Sequence, residues 1–130
     1  MKCIAVTPEK TVFDRETQFI ALPLYDGEYG IAPGHTPVVG RLGAGELRLT
    51  SGDGVERWYV EGGFMEAKND VITILTGRIV PVADLKLSDA EAALASARGK
   101  VATRAQDVAD RARQMETARN QIRLIKRHQK

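Results

Sequence analysis

His35 and His128 are the only two histidines in the chain, and Cys3 is its only cysteine. That supply is thin for catalysis. Two imidazoles so far apart build no two-histidine metal motif, and one thiol can form neither an internal disulfide nor a metal cluster. No GxxxxGK[ST] phosphate loop or GxSxG nucleophile elbow is present. Gly40-Arg41-Leu42-Gly43-Ala44-Gly45 is glycine-rich, but no helix follows to aim backbone N–H groups at a phosphate, so it reads as strand and turn. His35 follows Pro33-Gly34 and precedes Thr36-Pro37, with Glu28 the nearest carboxylate along the chain. It reads as a loop histidine bonded to backbone or to a partner protein, and Cys3 as a small buried strand residue.

The strongest charge pattern lies at the other end. Thr117–Lys130 holds five Lys/Arg (Arg119, Arg123, Lys126, Arg127 and Lys130) and no acid. Arg119, Arg123 and Arg127 recur every four residues, which on a helix makes one basic edge. A solvated face, a surface that docks on an acidic helix, and a patch for nucleic acid or anionic lipid all fit that edge. A stand-alone nucleic-acid module is disfavoured by the 5% aromatic content and the absence of a stacking motif.

The elements that must carry these residues fall into two stretches. Residues 1–84 hold 8 Lys/Arg and 12 Asp/Glu, and residues 85–130 hold 11 Lys/Arg and 5 Asp/Glu, so a net charge of −4 gives way to +6. Eleven of the twelve glycines and all five prolines precede residue 85. Before that point the apolar runs are short and often β-branched: Cys3–Val6, Gln18–Leu22, Glu46–Leu49, Arg57–Val60, Gly63–Glu66 and Val71–Leu75. Turn signals separate them. Asp53-Gly54 reads as the corner of a hairpin joining 46–50 to 55–61, and Lys68-Asn69-Asp70 as a second hairpin turn. The expectation is an antiparallel sandwich or barrel over 1–84.

After Pro81 the period becomes helical. Ser88 or Asp89 reads as an N-cap, with Glu91 completing a capping box. Leu87, Ala90, Leu94, Ala97, Val101, Ala105, Val108, Ala112, Met115, Ala118, Ile122 and Ile125 form an apolar stripe, much of it alanine. A break is expected at Gly99-Lys100 or near Gln106–Asp110, giving a hairpin of two helices over 85–130 in preference to one long helix of about 60 Å. No run approaches the ~18 apolar residues of a membrane span. The N-terminus shows neither a signal core nor a transit pattern, so the chain is expected to stay where it is made.

Gly27-Glu28-Tyr29-Gly30-Ile31-Ala32-Pro33-Gly34-His35-Thr36-Pro37 resembles the GExGILPGHxP segment of the epsilon subunits of F-type ATP synthases. Leu42–Arg48 matches that family's L-x-x-G-x-L-R stretch, Thr7–Phe13 its early TPE-x-x-VF turn, and Val60–Glu66 its V-x-GGF-x-E strand. Val71–Leu75 is similar to its closing VTIL strand. These five stretches agree in order and spacing, and the resemblance covers essentially the whole chain.

The resemblance implies a β-sandwich of about ten strands followed by a helical hairpin. It also implies a non-catalytic central-stalk subunit of a proton-translocating enzyme. The sandwich would contact the gamma subunit and the ring of c subunits, with Asp26, Glu28 and His35 in the contact loop. The hairpin would inhibit ATP hydrolysis by placing Arg119, Arg123 and Arg127 against the beta subunits. The expected location is peripheral, on the cytoplasmic side of a bacterial inner membrane, with the membrane reached only through the complex. Some bacterial members bind ATP through an I/L-D-x-x-R-A-x-x-A-x-x-R motif. Here Ser88 stands where the Asp belongs and Glu91 where the first Arg belongs, leaving only Arg98. A carboxylate in place of a phosphate-pairing cation repels ATP, so no cofactor is expected.

Overall fold

A computed structural model describes residues 1–128; Lys130 of the basic tail lies outside them. The chain divides into two compact units, the first Met1–Pro81 and the second starting at Val82, three residues before the boundary expected from the charge change.

The first unit is built from β1 (Lys2–Val6), β2 (Thr11–Glu16), β3 (Phe19–Leu24), β4 (Gly27–Ile31), β5 (Val38–Ser51), β6 (Gly54–Lys68), β7 (Val71–Leu75) and β8 (Ile79–Pro81). The hydrogen-bonded order is β2-β1-β7-β6-β5-β3-β4, with β8 also paired to β6. There are eight strands where about ten were expected, because β5 and β6 are 14 and 15 residues long and each serves both layers. β6 pairs with β8 over Trp58–Val60 and with β7 over Phe64–Lys68. It changes partners at Gly62 and Gly63, whose φ values are +70° and +110°. On β3, Leu22 and Pro23 face the longer β5 segment Gly43–Leu47, an irregularity that bends β5 and accommodates a proline with no N–H to donate. The sheet thereby closes over itself. Phe13 of β2 packs 4.8 Å from the Trp58 ring of β6, although three strand-to-strand steps separate them along the sheet.

One pairing departs from the expected antiparallel pattern: β1 runs parallel to β7, from Lys2↔Val71 to Val6↔Leu75. Every other pair is antiparallel. A parallel pair needs a long crossover, and β2 to β6 supply it. Both expected hairpins form. Asn69 and Asp70 take φ of +54° and +65°, the conformation a two-residue turn with the twist of its strands requires. The β5–β6 corner is Gly52-Asp53, one residue earlier than expected, with Ser51 paired to Gly54 and the positive φ of +125° falling on Gly54. The glycine-rich stretch 40–45 is continuous strand within β5. Between the layers sit Cys3, Ala5, Phe13, Ile20, Leu22, Leu42, Leu47, Leu49, Val60, Met65, Ile72 and Ile74, all nearly or fully buried.

The second unit opens with a 3-10 turn at Val82–Asp84, then α1 (Leu87–Arg98) and α2 (Ala105–His128), which pack on each other. The helix break is therefore at Gly99, and Asp107 and Asp110 lie inside α2. α1 starts earlier than the capping-box pattern indicated. Lys86 is the N-cap, with no side-chain cap bond, and Ser88 and Asp89 stand in the first turn. There the Asp89 carboxylate faces the positive end of the helix dipole. The buried seam is Ala90 and Ala97 on α1 with Ala118, Gln121 and Leu124 on α2. Val101 and Val108, assigned to the stripe from spacing, are exposed. The six residues between the helices break the register, so each helix takes its own phase.

Candidate functional site

Cross-strand register decides which side chains share a face. In the layer of β5, β6, β7, β1 and β2, the row Gly40, Met65, Ile74, Ala5 and Phe13 points into the core. The neighbouring rows point out: Arg41, Phe64, Leu75 and Val6, then Val39, Glu66, Thr73 and Ile4. This outer face is apolar where a solvated sheet would be polar. Val39 is 72% exposed, Phe64 58% and Leu75 52%, with Val6 and Ile4 half-buried beside them. Three large exposed apolar side chains on adjacent strands mark a surface that excludes water by meeting a partner. The sequence carried this signal in Gly63-Phe64-Met65-Glu66, where Phe64 and Met65 must point to opposite faces, but period alone leaves open which of them is outside.

The β3–β4 hairpin turn, Tyr25-Asp26, abuts this face. The Tyr25 N–H donates to the Arg41 carbonyl at 2.8 Å, and the Arg41 guanidinium lies 4.7 Å from the centre of the exposed Tyr25 ring. Asp26 is thus carried beside the apolar rows, exposed and at the tip of the turn.

Glu28 and His35 are placed differently. Glu28 lies on β4, opposite Pro23 of β3. Arg48 of β5 binds its carboxylate through both arms, at 2.7 and 3.3 Å. The same arginine reaches Glu46 at 3.3 Å, and Arg57 reaches Glu46 at 3.1 Å. Glu46 keeps only 4% of its side chain exposed, so the two guanidiniums offset the loss of its solvation. The Glu28 bond holds the Arg48 guanidinium above its ordinary range, against partial desolvation and with help from Glu46. Glu28 is therefore paired within the chain while its side chain stays 56% exposed.

His35 lies past the other end of β4, after the Pro33-Gly34 turn in which Gly34 takes φ +82°. Its Nδ1 is 3.0 Å from the Thr36 carbonyl, so Nδ1–H donates there, while Nε2 is enclosed with no hydrogen-bond partner among the described residues. The five residues of β4, about 17 Å at 3.4 Å each, separate the Asp26 turn from the His35 loop. Asp26, Glu28 and His35 do not converge on one point. Glu28 is on β4, Asp26 is in the turn before it and His35 is in the loop after it.

On α2, Arg119, Arg123 and Arg127 are all exposed. Arg123 is occupied by Glu116 at 3.0 Å and by Asn120, while Arg119 and Arg127 carry no ion pair among the described residues. Arg98 ends α1 and is exposed, with Ser88 and Glu91 also exposed on that helix. Cys3 is wholly buried, and its thiol is pushed up to about 12 by burial first and then by Asp14 and Glu56. No cluster of three or more metal-ligating side chains occurs among the described residues, and none of their helices is long and apolar enough to cross a membrane.

The sequence and the fold recur in known proteins. The family model of the ATP synthase Delta/Epsilon chain β-sandwich domain matches residues 1–82. The ATP synthase epsilon chain of Rhodopirellula baltica is 48% identical over 97 residues, spanning 75% of this chain and 76% of the relative. That of Granulibacter bethesdensis is 37% identical over 99 residues, 75% and 73% of the two chains. Two solved structures share the fold. A chain of the Euglena gracilis mitochondrial ATP synthase OSCP/F1/c-ring assembly has a TM-score of 0.76 at 24% identity, covering 96% of this chain and 78% of its own. One from the Tetrahymena thermophila mitochondrial ATP synthase central stalk and c-ring has a TM-score of 0.78 at 11% identity, covering 95% of each. On the sandwich-domain match and the close curated relative together, this chain belongs to the ATP synthase epsilon chain family.

Proposed function

We propose that this chain is a non-catalytic central-stalk subunit of a rotary ATP synthase, and that its sandwich docks on the gamma subunit through the apolar face around Phe64. The observation that carries the reading is that face: Val39, Phe64 and Leu75 standing exposed on adjacent strands of an otherwise ordinary sandwich. A partner surface of apolar side chains would bury them, at roughly 25 cal/mol per Å² removed from water. The Asp26 turn, Glu28 and the His35 loop lie along one edge strand and suit contact with the c-ring, with Asp26 the unpaired acid. Association with the membrane then runs through the complex, on the cytoplasmic side of a bacterial inner membrane. The two structural relatives come from a c-ring assembly and a central stalk, which agrees with this placement.

The hairpin is the regulatory part of the proposal. Its exposed basic edge suits acidic segments of the beta subunits, and Arg119 and Arg127 are available for that contact without breaking an internal pair. The departures at Ser88 and Glu91 leave no phosphate-pairing set on α1, so ATP is not the ligand.

A pull-down of the tagged chain tests the docking: gamma is expected with the parent chain and absent with Phe64→Glu. Recovery of gamma by both, or by neither, refutes it. For the regulation, removing residues 87–130 should raise the ATPase rate of the assembled complex; an unchanged rate removes the inhibitory role and leaves the docking intact.

A further inference from the structure

The α1–α2 seam is poor in apolar bulk. Its fully buried members are three alanines, one glutamine and one leucine, while Leu94, Met115, Ile122 and Ile125 are only half-buried. Alanine-on-alanine contact removes little area from water, so the hairpin needs another source of closure. Arg111 of α2 supplies one. Its Nε–H donates to the Ala97 carbonyl at 3.1 Å and its terminal N–H to the Arg98 carbonyl at 3.1 Å. Those carbonyls belong to the last turn of α1, where no further helical N–H follows to meet them, although the Gly99 N–H reaches Ala95 and the Lys100 N–H reaches Ala97. The guanidinium also sits at the negative end of the α1 dipole. Beside it, Lys100 Nζ donates to Gln114 Oε1 at 2.6 Å, tying the connection to the third turn of α2.

We propose that Arg111 is the latch of the hairpin: a residue that sets the balance between paired and separated helices by bridging two terminal carbonyls of α1. A planar fork spans both carbonyls with one side chain, which a lysine ammonium cannot do in the same geometry. Charge-assisted bonds of this kind add to a seam whose larger apolar members stay half-buried, so the latch shifts the balance between α1 and α2 paired and α1 and α2 apart. Both groups that α1 presents to it are backbone carbonyls. The latch is therefore indifferent to the identity of the α1 side chains and works through helix geometry alone. When the latch opens, α2 leaves with its basic edge intact, since none of Arg119, Arg123 or Arg127 takes part in it. This deepens the regulatory half of the reading above.

The test uses the full chain alone, so its failure is separable from failure of gamma docking. Nitroxide labels are placed at S96C and A112C, exposed positions on α1 and α2. Buried Cys3, with its thiol raised to about 12, stays unlabelled. Pulsed electron paramagnetic resonance then reads the interhelical distance. The doubly labelled parent should show one short, dominant distance. Arg111→Gln should raise the population of longer distances on the order of tenfold, and Arg111→Lys by a smaller factor. Lysine and glutamine are both good helix formers, and far-UV circular dichroism checks that α2 persists. Parent-like distances in either variant, or a parent that is already open, overturn the latch.

Discussion

At Gly63 no side chain can be added. A Cβ there would overlap the Leu75 carbonyl oxygen and approach the Thr76 Cα to 2.9 Å, at a φ of +110°. Because β6 changes layers at this point, the backbone has no room to shift, and Gly63→Ala should cost more than about 3 kcal/mol in urea unfolding. Gly52, with nothing near its Cβ position and an ordinary φ, should tolerate the same change within about 1 kcal/mol. The charged pairs divide similarly. Glu28→Gln removes a pair whose acid is more than half exposed and should cost under about 1 kcal/mol. Arg48→Ala also strips one of two guanidiniums from buried Glu46, and about 2 kcal/mol is expected. Cys3 gives a pH signature. Its folded-state value near 12 lies above the unfolded 9.0, so the folded form keeps a proton that the unfolded form loses. Its contribution is complete below pH 9 and is lost as pH rises toward 12, so chemical-denaturation midpoints should fall over that window. In Cys3→Ala that alkaline fall should shrink. At neutral pH the native thiol should react with a disulfide reagent only as fast as the chain unfolds.

The elements show what the chain's own pattern discloses. Asn69-Asp70 and Gly54 announce their turns, since few residues tolerate positive φ, and both hairpins sit within a residue of the expected place. The β1–β7 pairing was hidden because a strand's residues say nothing about the direction of its neighbour. The resemblance implied about ten strands; here there are eight, because the glycines at 43, 45, 62 and 63 are bends inside two long strands. In the helices, alanine is as common outside α1 as inside it. Ala92, Ala93 and Ala95 are exposed while Ala90 and Ala97 are buried, so alanine spacing cannot fix the phase. The 26–35 segment was legible as a motif, but the pairing of Glu28 was not, because Arg48 lies twenty residues away along the chain. At this scale the account predicts that the hairpin is dispensable to the sandwich. A chain ending at Lys86 should keep the cooperative unfolding transition seen by Trp58 fluorescence, because the core cluster is drawn entirely from β1 to β8. Loss of that transition would tie the two units into one fold.

For the whole molecule, an acidic sandwich and a basic helical hairpin divide the work. The first carries an apolar face whose exposure has no use in an isolated chain, and the second carries charge without a catalytic group. The family is a non-catalytic one, and the proposal is that the chain acts by contact. The contact proposed as central is the face around Phe64. Isothermal titration calorimetry of the chain against purified gamma subunit, run at several temperatures, measures it directly. The account predicts one-to-one binding with a negative heat-capacity change, the mark of apolar burial, and loss of that binding in Phe64→Glu with the unfolding midpoint unchanged. Binding of equal strength by Phe64→Glu, or no binding by the parent chain, would contradict it.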